Sequence, residues 1–357
     1  MEENKQHKTA LPETEPIPSA QAPEALLDIR GLRVEYHTDE DVVYAVNGLD
    51  LTIGKGESLG LVGETGAGKT TTALSVLRLI ADPPGKIMGG EIWFEGEDML
   101  QAKPARLREI RGSEISVIFQ DPMTSLNPVY SVGDQIAEVI HQHEKCSKEE
   151  GRRKAGDMLE MVGIPRARYD EYPHQFSGGM KQRVVIAMSI ACSPELILAD
   201  EPTTALDVTI QAQVLELMNE LKEKLRTSLL LITHDLGVVA QVCDRVAIMY
   251  AGEIVESGTI AEVFDHPHHP YTIGLFGSIP SLDETAEKLK PIQGQMPDPT
   301  ELPEGCAFAP RCPYATGACR TRKPEMTGVG GTQMVRCLAH QGVFESPELM
   351  EEVRHGR

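Results

Sequence analysis

The stretch that most constrains this chain is Gly63-Glu64-Thr65-Gly66-Ala67-Gly68-Lys69-Thr70. It fits the pattern G-x-x-x-x-G-K-[ST] and stands between a short apolar run, Leu59–Val62, and a segment with Leu74, Leu77 and Ile80 at helical spacing. That context predicts a strand, a phosphate-binding loop and a helix. Glycines let the backbone curl until several N–H groups point at phosphate oxygens, and the helix N-terminus adds a favourable dipole. Lys69 is expected to reach the β- and γ-phosphates and Thr70 to offer its hydroxyl to Mg²⁺. The loop alone leaves kinases, GTPases and motor ATPases open.

Further apolar runs at Val117–Phe119, Leu196–Ala199 and Leu229–Ile232 read as buried strands, and Leu27–Ile29 and Val42–Ile53 as strands of alternating pattern. Helical segments lie between them, so an α/β core is expected. The 357 residues are enough for a large α/β domain with an appendage. The polar, helical stretch near 130–175 reads as an inserted subdomain, residues 1–24 as a disordered tail, and the Pro- and Gly-rich stretch 281–357 as a separate small appendage. A net charge of −20 argues against nucleic acid as a partner. No apolar run is long enough to span a bilayer, and no secretory leader is evident, so a cytosolic location is expected.

Two more patterns carry chemistry. Leu196–Ala199 ends in Asp200-Glu201. Asp200 can hold Mg²⁺ through water, and Glu201 can orient the attacking water or take its proton. Phe176-Ser177-Gly178-Gly179-Met180-Lys181-Gln182-Arg183 precedes an apolar helix, with Ser177 placed as N-cap and the glycines exposing N–H groups, a second anion site. Near the C-terminus Cys306, Cys312, Cys319 and Cys337 cluster, and four thiolates suit zinc or an iron–sulfur cluster. Cys146, Cys192 and Cys243 are isolated and read as small buried hydrophobes. The tract His266-Pro267-His268-His269-Pro270 reads as a surface connection rather than a metal site.

The order of phosphate loop, Gln120, Phe-Ser-Gly-Gly, Asp200-Glu201, Ala205-Leu206-Asp207 and His234 resembles the ATP-binding-cassette (ABC) ATPases over residues 27 to about 280. The resemblance implies a P-loop ABC nucleotide-binding domain at 25–280. It would have a RecA-like core, an antiparallel β part and a helical subdomain at about 121–195, followed by the Cys-rich appendage. It implies that two ATPase subunits sandwich ATP head to tail. Gly63, Glu64, Thr65, Gly66, Ala67, Gly68, Lys69, Thr70 and Thr71 would then face the phosphates in cis, and Ser177, Gly178, Gly179 and Asp207 would meet ATP in trans. Glu201, His234 and Gln120 would be catalytic, with Thr70, Gln120 and Asp200 on Mg²⁺. Tyr36, or failing that Tyr44, would stack on adenine. Met180 departs from the family pattern, which often has Gln there.

The stretches Gln120–Pro128, His269-Pro270-Tyr271-Thr272 and Arg311-Cys312-Pro313-Tyr314 resemble the oligopeptide, dipeptide and nickel importer branch. That branch implies two permease subunits met near residues 121–145, a second and different ATPase, an extracytoplasmic substrate-binding protein, and a peripheral position on the cytoplasmic face of the membrane. It also implies a 4Fe–4S cluster on Cys306, Cys312, Cys319 and Cys337, ahead of zinc. Peptide is the expected cargo, with nickel or glutathione as alternatives. A soluble ABC protein outside transport and a metal-sensing regulator are the readings of another class.

Overall fold

The computed structural model describes residues 25–204, 206–278 and 292–355. The N-terminal tail at 1–24 and Ala205 lie outside the described residues. The described strands are β1 Ala25–His37, β2 Val42–Gly54, β3 Ser58–Val62, β4 Gly85–Phe94, β5 Glu97–Asp98, β6 Ile115–Ile118, β7 Leu196–Asp200, β8 Ser228–Thr233, β9 Arg245–Tyr250, β10 Glu253–Thr259, β11 Thr327–Gly330 and β12 Gln333–Val335.

They form two sheets. A smaller antiparallel sheet runs β2-β1-β4-β5, and an eight-stranded sheet runs β11-β12-β10-β9-β3-β8-β7-β6. In the larger sheet β9, β3, β8, β7 and β6 are parallel, while β10, β12 and β11 add antiparallel pairs at one edge. The parallel strands are short and largely apolar because both faces are covered. In β8, Leu229 and Leu231 face one core and Leu230 and Ile232 the other, all buried. Leu230 is fully buried, so Leu230→Ala is expected to cost about 3 kcal/mol, read as a lowered urea midpoint at unchanged slope.

Between β6 and β7 the described residues are helices and turns. Val132, Ile136 and Ile140 recur at four-residue intervals along the helix Val132–His143 and are fully buried. Ser131 caps that helix by accepting from the Asp134 N–H. Aromatic Tyr169 and Phe176, with Val184 and Ala187 from the helix Gly178–Ile190, join the same core as the main sheet.

The segment read as a separate appendage is in part built onto the main sheet. β12 pairs with β10 through Glu256↔Val335 and Ser257↔Met334. Buried Glu256 ties the edge together, since its carboxylate accepts from the N–H groups of His268 and His269 at 2.7 and 2.9 Å and from the Gln333 amide at 2.8 Å. The histidine tract is therefore not a surface connection throughout. His269 is 1% exposed and caps the helix Pro270–Gly277 by accepting from the Tyr271 N–H. Proline at the first helical position and a capping imidazole explain why an otherwise loop-like tract is fixed in the core.

Burial pushes the Glu256 carboxyl up to about 7, against the opposing hydrogen bonds. The folded protein thus holds this proton more tightly than the unfolded chain, whose carboxyl sits near 4.5. The contribution of this group to stability is fully present below that value and is lost as pH rises from there through about 7, by an amount on the order of 3 kcal/mol. Burial pushes the neighbouring His268 and His269 down to about 4 and about 3, which acts in the opposite sense, so the test is a difference: the change in urea stability from pH 5 to pH 8 is expected to be shifted towards higher stability at pH 8 in Glu256→Gln relative to wild type.

Candidate functional site

Four parallel neighbours of the main sheet deliver their carboxyl ends to one edge: β3 before the phosphate loop, β6 before Gln120, β7 at Asp200-Glu201 and β8 before His234. In open α/β sheets this is where ligands bind. The predicted residues are far apart in sequence but meet here because the strands are adjacent.

The phosphate loop connects β3 to the helix Lys69–Val76. Gly68 precedes that helix with φ of 102°, and a Cβ there would sit 2.3 Å from the Ala45 carbonyl oxygen, so only glycine fits. Lys69 is 6% exposed, and its Nζ donates to the carbonyls of Gly63 at 2.6 Å and Glu64 at 3.0 Å. Burial lowers the Lys69 pKa against the attraction of Glu201, Asp200 and Glu64. Thr70 hydrogen-bonds the Asp200 carboxylate, which burial raises above its ordinary range. A hydroxyl and a buried carboxylate facing each other beside a lysine form a donor set suited to Mg²⁺ on a phosphate.

Glu201 is the hub of the second group. The Gln120 amide donates to its Oε2 at 3.0 Å, the Thr204 hydroxyl donates to the same oxygen at 2.9 Å, and His234 Nδ1 lies 3.1 Å from Oε1. Burial alone would raise the Glu201 pKa, but hydrogen bonds from His234 and Thr204 outweigh it and hold the carboxyl below its ordinary value. Glu201 also has φ of 46°, a left-handed backbone that a non-glycine residue adopts at a cost on the order of 1 kcal/mol and that clusters at functional sites. Thr204 was not among the predicted residues. Its only sequence signal is its place in the turn after Asp200-Glu201.

Ser177 caps the helix Gly178–Ile190 by accepting from the Met180 N–H. Gly179 packs so closely on the helix Val208–Leu225 that a Cβ would lie 2.3 Å from the Ile210 side chain. Asp207 caps that second helix, accepting from the Ile210 N–H at 3.0 Å. Ser177, Gly178, Gly179 and Asp207 thus form a unit of two capped helix starts. Tyr36 places its hydroxyl 3.2 Å from the Thr71 hydroxyl, next to the phosphate-loop helix. Tyr44 is 38% exposed, and its N–H donates to the Pro299 carbonyl.

The four C-terminal cysteines converge. Cys306, Cys312, Cys319 and Cys337 line one cavity together with Phe308 and Leu338. The cavity measures about 20 Å³, the room of one water. Burial raises the thiols of Cys306, Cys312 and Cys337, Cys312 to about 12 and Cys337 to about 11. Among the described residues no group of three or more His, Cys, Asp or Glu could hold a metal ion, so the expected zinc or iron–sulfur site is not found as such. What the structure provides is a convergent set of four free thiols, chemically suited to a cluster, around a small shared cavity. Of the isolated cysteines, Cys243 is buried, whereas Cys146 and Cys192 are half-buried.

The fold and the edge of Lys69, Thr70, Asp200 and Glu201 define a P-loop ATPase of the ABC type. Residues 46–204 match the ABC transporter family, and residues 255–319 match the C-terminal region of oligopeptide/dipeptide transporters. The chain is 51% identical over 332 residues to the oligopeptide transport ATP-binding protein OppD of Bacillus subtilis (strain 168), covering 91% of this chain and 93% of that protein. It is 49% identical over 318 residues to AppD and 48% over 316 residues to the dipeptide transport ATP-binding protein DppD, both of the same strain. AppD is matched over 88% of this chain and 97% of its own length, DppD over 88% and 94%. Among solved structures, the ATP-binding cassette MJ0796, dimeric and bound to ADP and Pi, superposes with a TM-score of 0.59 at 27% identity, covering 66% of this chain and 98% of that one. This chain belongs to the ATP-binding subunits of the oligopeptide/dipeptide branch of ABC transporters, and it is an ATPase.

Proposed function

We propose that this chain hydrolyses ATP at the carboxyl edge of its main sheet to drive peptide uptake through membrane permeases. The observation that carries the reading is the set of contacts on Glu201: one carboxylate held by Gln120, Thr204 and His234, at the end of β7 and on the same sheet edge as the phosphate loop. ATP is the substrate. Gly63 through Thr71 would hold its phosphates, with Lys69 leaving its carbonyl partners for the β- and γ-oxygens. Thr70, Asp200 and Gln120 would hold Mg²⁺, which neutralises phosphate charge when bound. Glu201 would accept a proton from the attacking water or orient it, and His234 would face the γ-phosphate. Tyr36 is the proposed adenine contact, supported by its place beside Thr71, with Tyr44 as runner-up. Because Glu201 is held below the ordinary carboxylate range, it stays ionised at mildly acidic pH. The acid limb of kcat/KM is therefore expected below that range, and Thr204→Val is expected to move it upward.

Ser177, Gly178, Gly179 and Asp207 would meet ATP bound to a second ATPase subunit, a reading supported by the dimeric, nucleotide-bound form of the structural relative. Peptide as cargo rests on relatives named for oligopeptide and dipeptide transport. Two permease subunits, a different second ATPase and an extracytoplasmic binding protein follow from that assignment. Within the described residues no helix is long and apolar enough to cross a membrane, so attachment would be peripheral, on the cytoplasmic face and through the permeases. Recovery of the chain with membranes only when permeases are co-expressed is the expected result, and recovery regardless of permeases would count against it.

Cys306, Cys312, Cys319 and Cys337 are the residues that would hold a 4Fe–4S cluster, supported by their shared cavity and the donor chemistry. Its part would be structural or regulatory, not catalytic. Anaerobic purification should yield iron and sulfide near four each per chain with broad absorption around 400 nm, as an order-of-magnitude expectation for such a centre. A metal-free, colourless protein would remove the cluster and leave the ATPase untouched.

A further inference from the structure

One stretch of the C-terminal lobe reaches the phosphate loop directly. Arg311, next to Cys312, has a side chain only 6% exposed, and its Nη1 donates to both carboxylate oxygens of Glu64 at 3.0 Å. Its Nε donates to the Gln293 carbonyl at 3.1 Å, and its guanidinium lies 5.8 Å from the Tyr250 ring and 5.9 Å from that of Phe308. The Glu64 N–H donates to the Tyr271 hydroxyl at 3.1 Å. From the same stretch Met296 covers Gly66, where a Cβ would come within 3.2 Å of its methyl group. The Glu64 carbonyl is also one of the two that hold Lys69.

A carboxylate inside a loop built to bind a polyanion is a liability. Left unpaired near the phosphates it would repel them, and at partial burial that repulsion is poorly screened. Arginine is suited to remove it, since it is always charged and its planar fork matches a carboxylate. The flanking aromatic rings and the Gln293 carbonyl fix the guanidinium, so the pair is held in place rather than formed by a mobile surface side chain.

We propose that Arg311 is a positioning residue for ATP: it neutralises and orients Glu64, and thereby makes the phosphate loop's affinity for nucleotide depend on the C-terminal cysteine lobe. It acts through Glu64 and need not touch the nucleotide. The inference rests on the reading of residues 63–70 as the phosphate loop.

The test is MgATP binding by the full-length chain, by titration calorimetry, for Arg311→Met, Glu64→Gln and the double variant, with Lys69→Ala as reference. Arg311→Met is expected to raise the Kd about tenfold, with the double variant regaining most of the loss because the uncompensated charge is gone. Circular dichroism of each variant reports folding. A role confined to packing the lobe would leave the double variant as weak as Arg311→Met, and that outcome overturns the proposal. So does wild-type affinity in Arg311→Met. If instead Lys69→Ala binds MgATP normally, the phosphate-loop reading itself fails.

Discussion

Replacing Glu201 by Gln is expected to slow ATP hydrolysis about a thousandfold while MgATP still binds, which is the scale of a lost, positioned proton acceptor. The substitution keeps the shape and the capacity to accept from Gln120 and Thr204, whose contacts at 3.0 and 2.9 Å fix the side chain. It removes the negative charge that His234 and Thr204 stabilise. The phosphate loop follows β3, which β8 separates from β7, and keeps its own partners, so nucleotide affinity should be retained. The two readouts are steady-state phosphate release and a binding isotherm. Hydrolysis within a few-fold of wild type would show that Glu201 is not the group that handles the water.

Lys69→Ala is expected to weaken MgATP binding about a hundredfold, the effect of losing a buried charge-assisted contact to phosphate. Lys69 is held by the Gly63 and Glu64 carbonyls, beside Asp200 and Glu201. The Gly63 and Glu64 carbonyls lose the Lys69 donor, but alanine is a strong helix former at the start of the helix Lys69–Val76, so folding should survive. Unchanged affinity would mean that the loop binds something other than the nucleotide phosphates.

The cassette was legible because its signals are local. The loop from Gly63 to Thr70, the apolar runs before Glu201 and His234, and the capped start at Ser177 each declare their structure within ten residues. Even the meeting of Gln120, Glu201 and His234 follows once β6, β7 and β8 are recognised as parallel neighbours. The C-terminal region was not legible in the same way. Its strands β11 and β12 are short, and one contains two glycines, so nothing in their pattern announces pairing with β10. His269 looked like a loop residue because its neighbours are prolines, whereas its burial depends on Glu256 and Phe308 elsewhere in the chain. The Arg311–Glu64 pair joins positions 247 residues apart, and neither residue carries a local mark of its partner. The cysteines were found by their clustering, but spacing alone says nothing of the small cavity they surround.

The central claim is that hydrolysis at Glu201 powers solute movement. Its most direct test is uptake of a labelled oligopeptide into vesicles holding the permeases, this chain and the proposed second ATPase, with ATP on the side of the ATPases and the proposed binding protein on the other. The account predicts peptide accumulation that needs MgATP and stops with Glu201→Gln. Accumulation unaffected by that substitution, or ATP hydrolysis that never moves peptide, would contradict it.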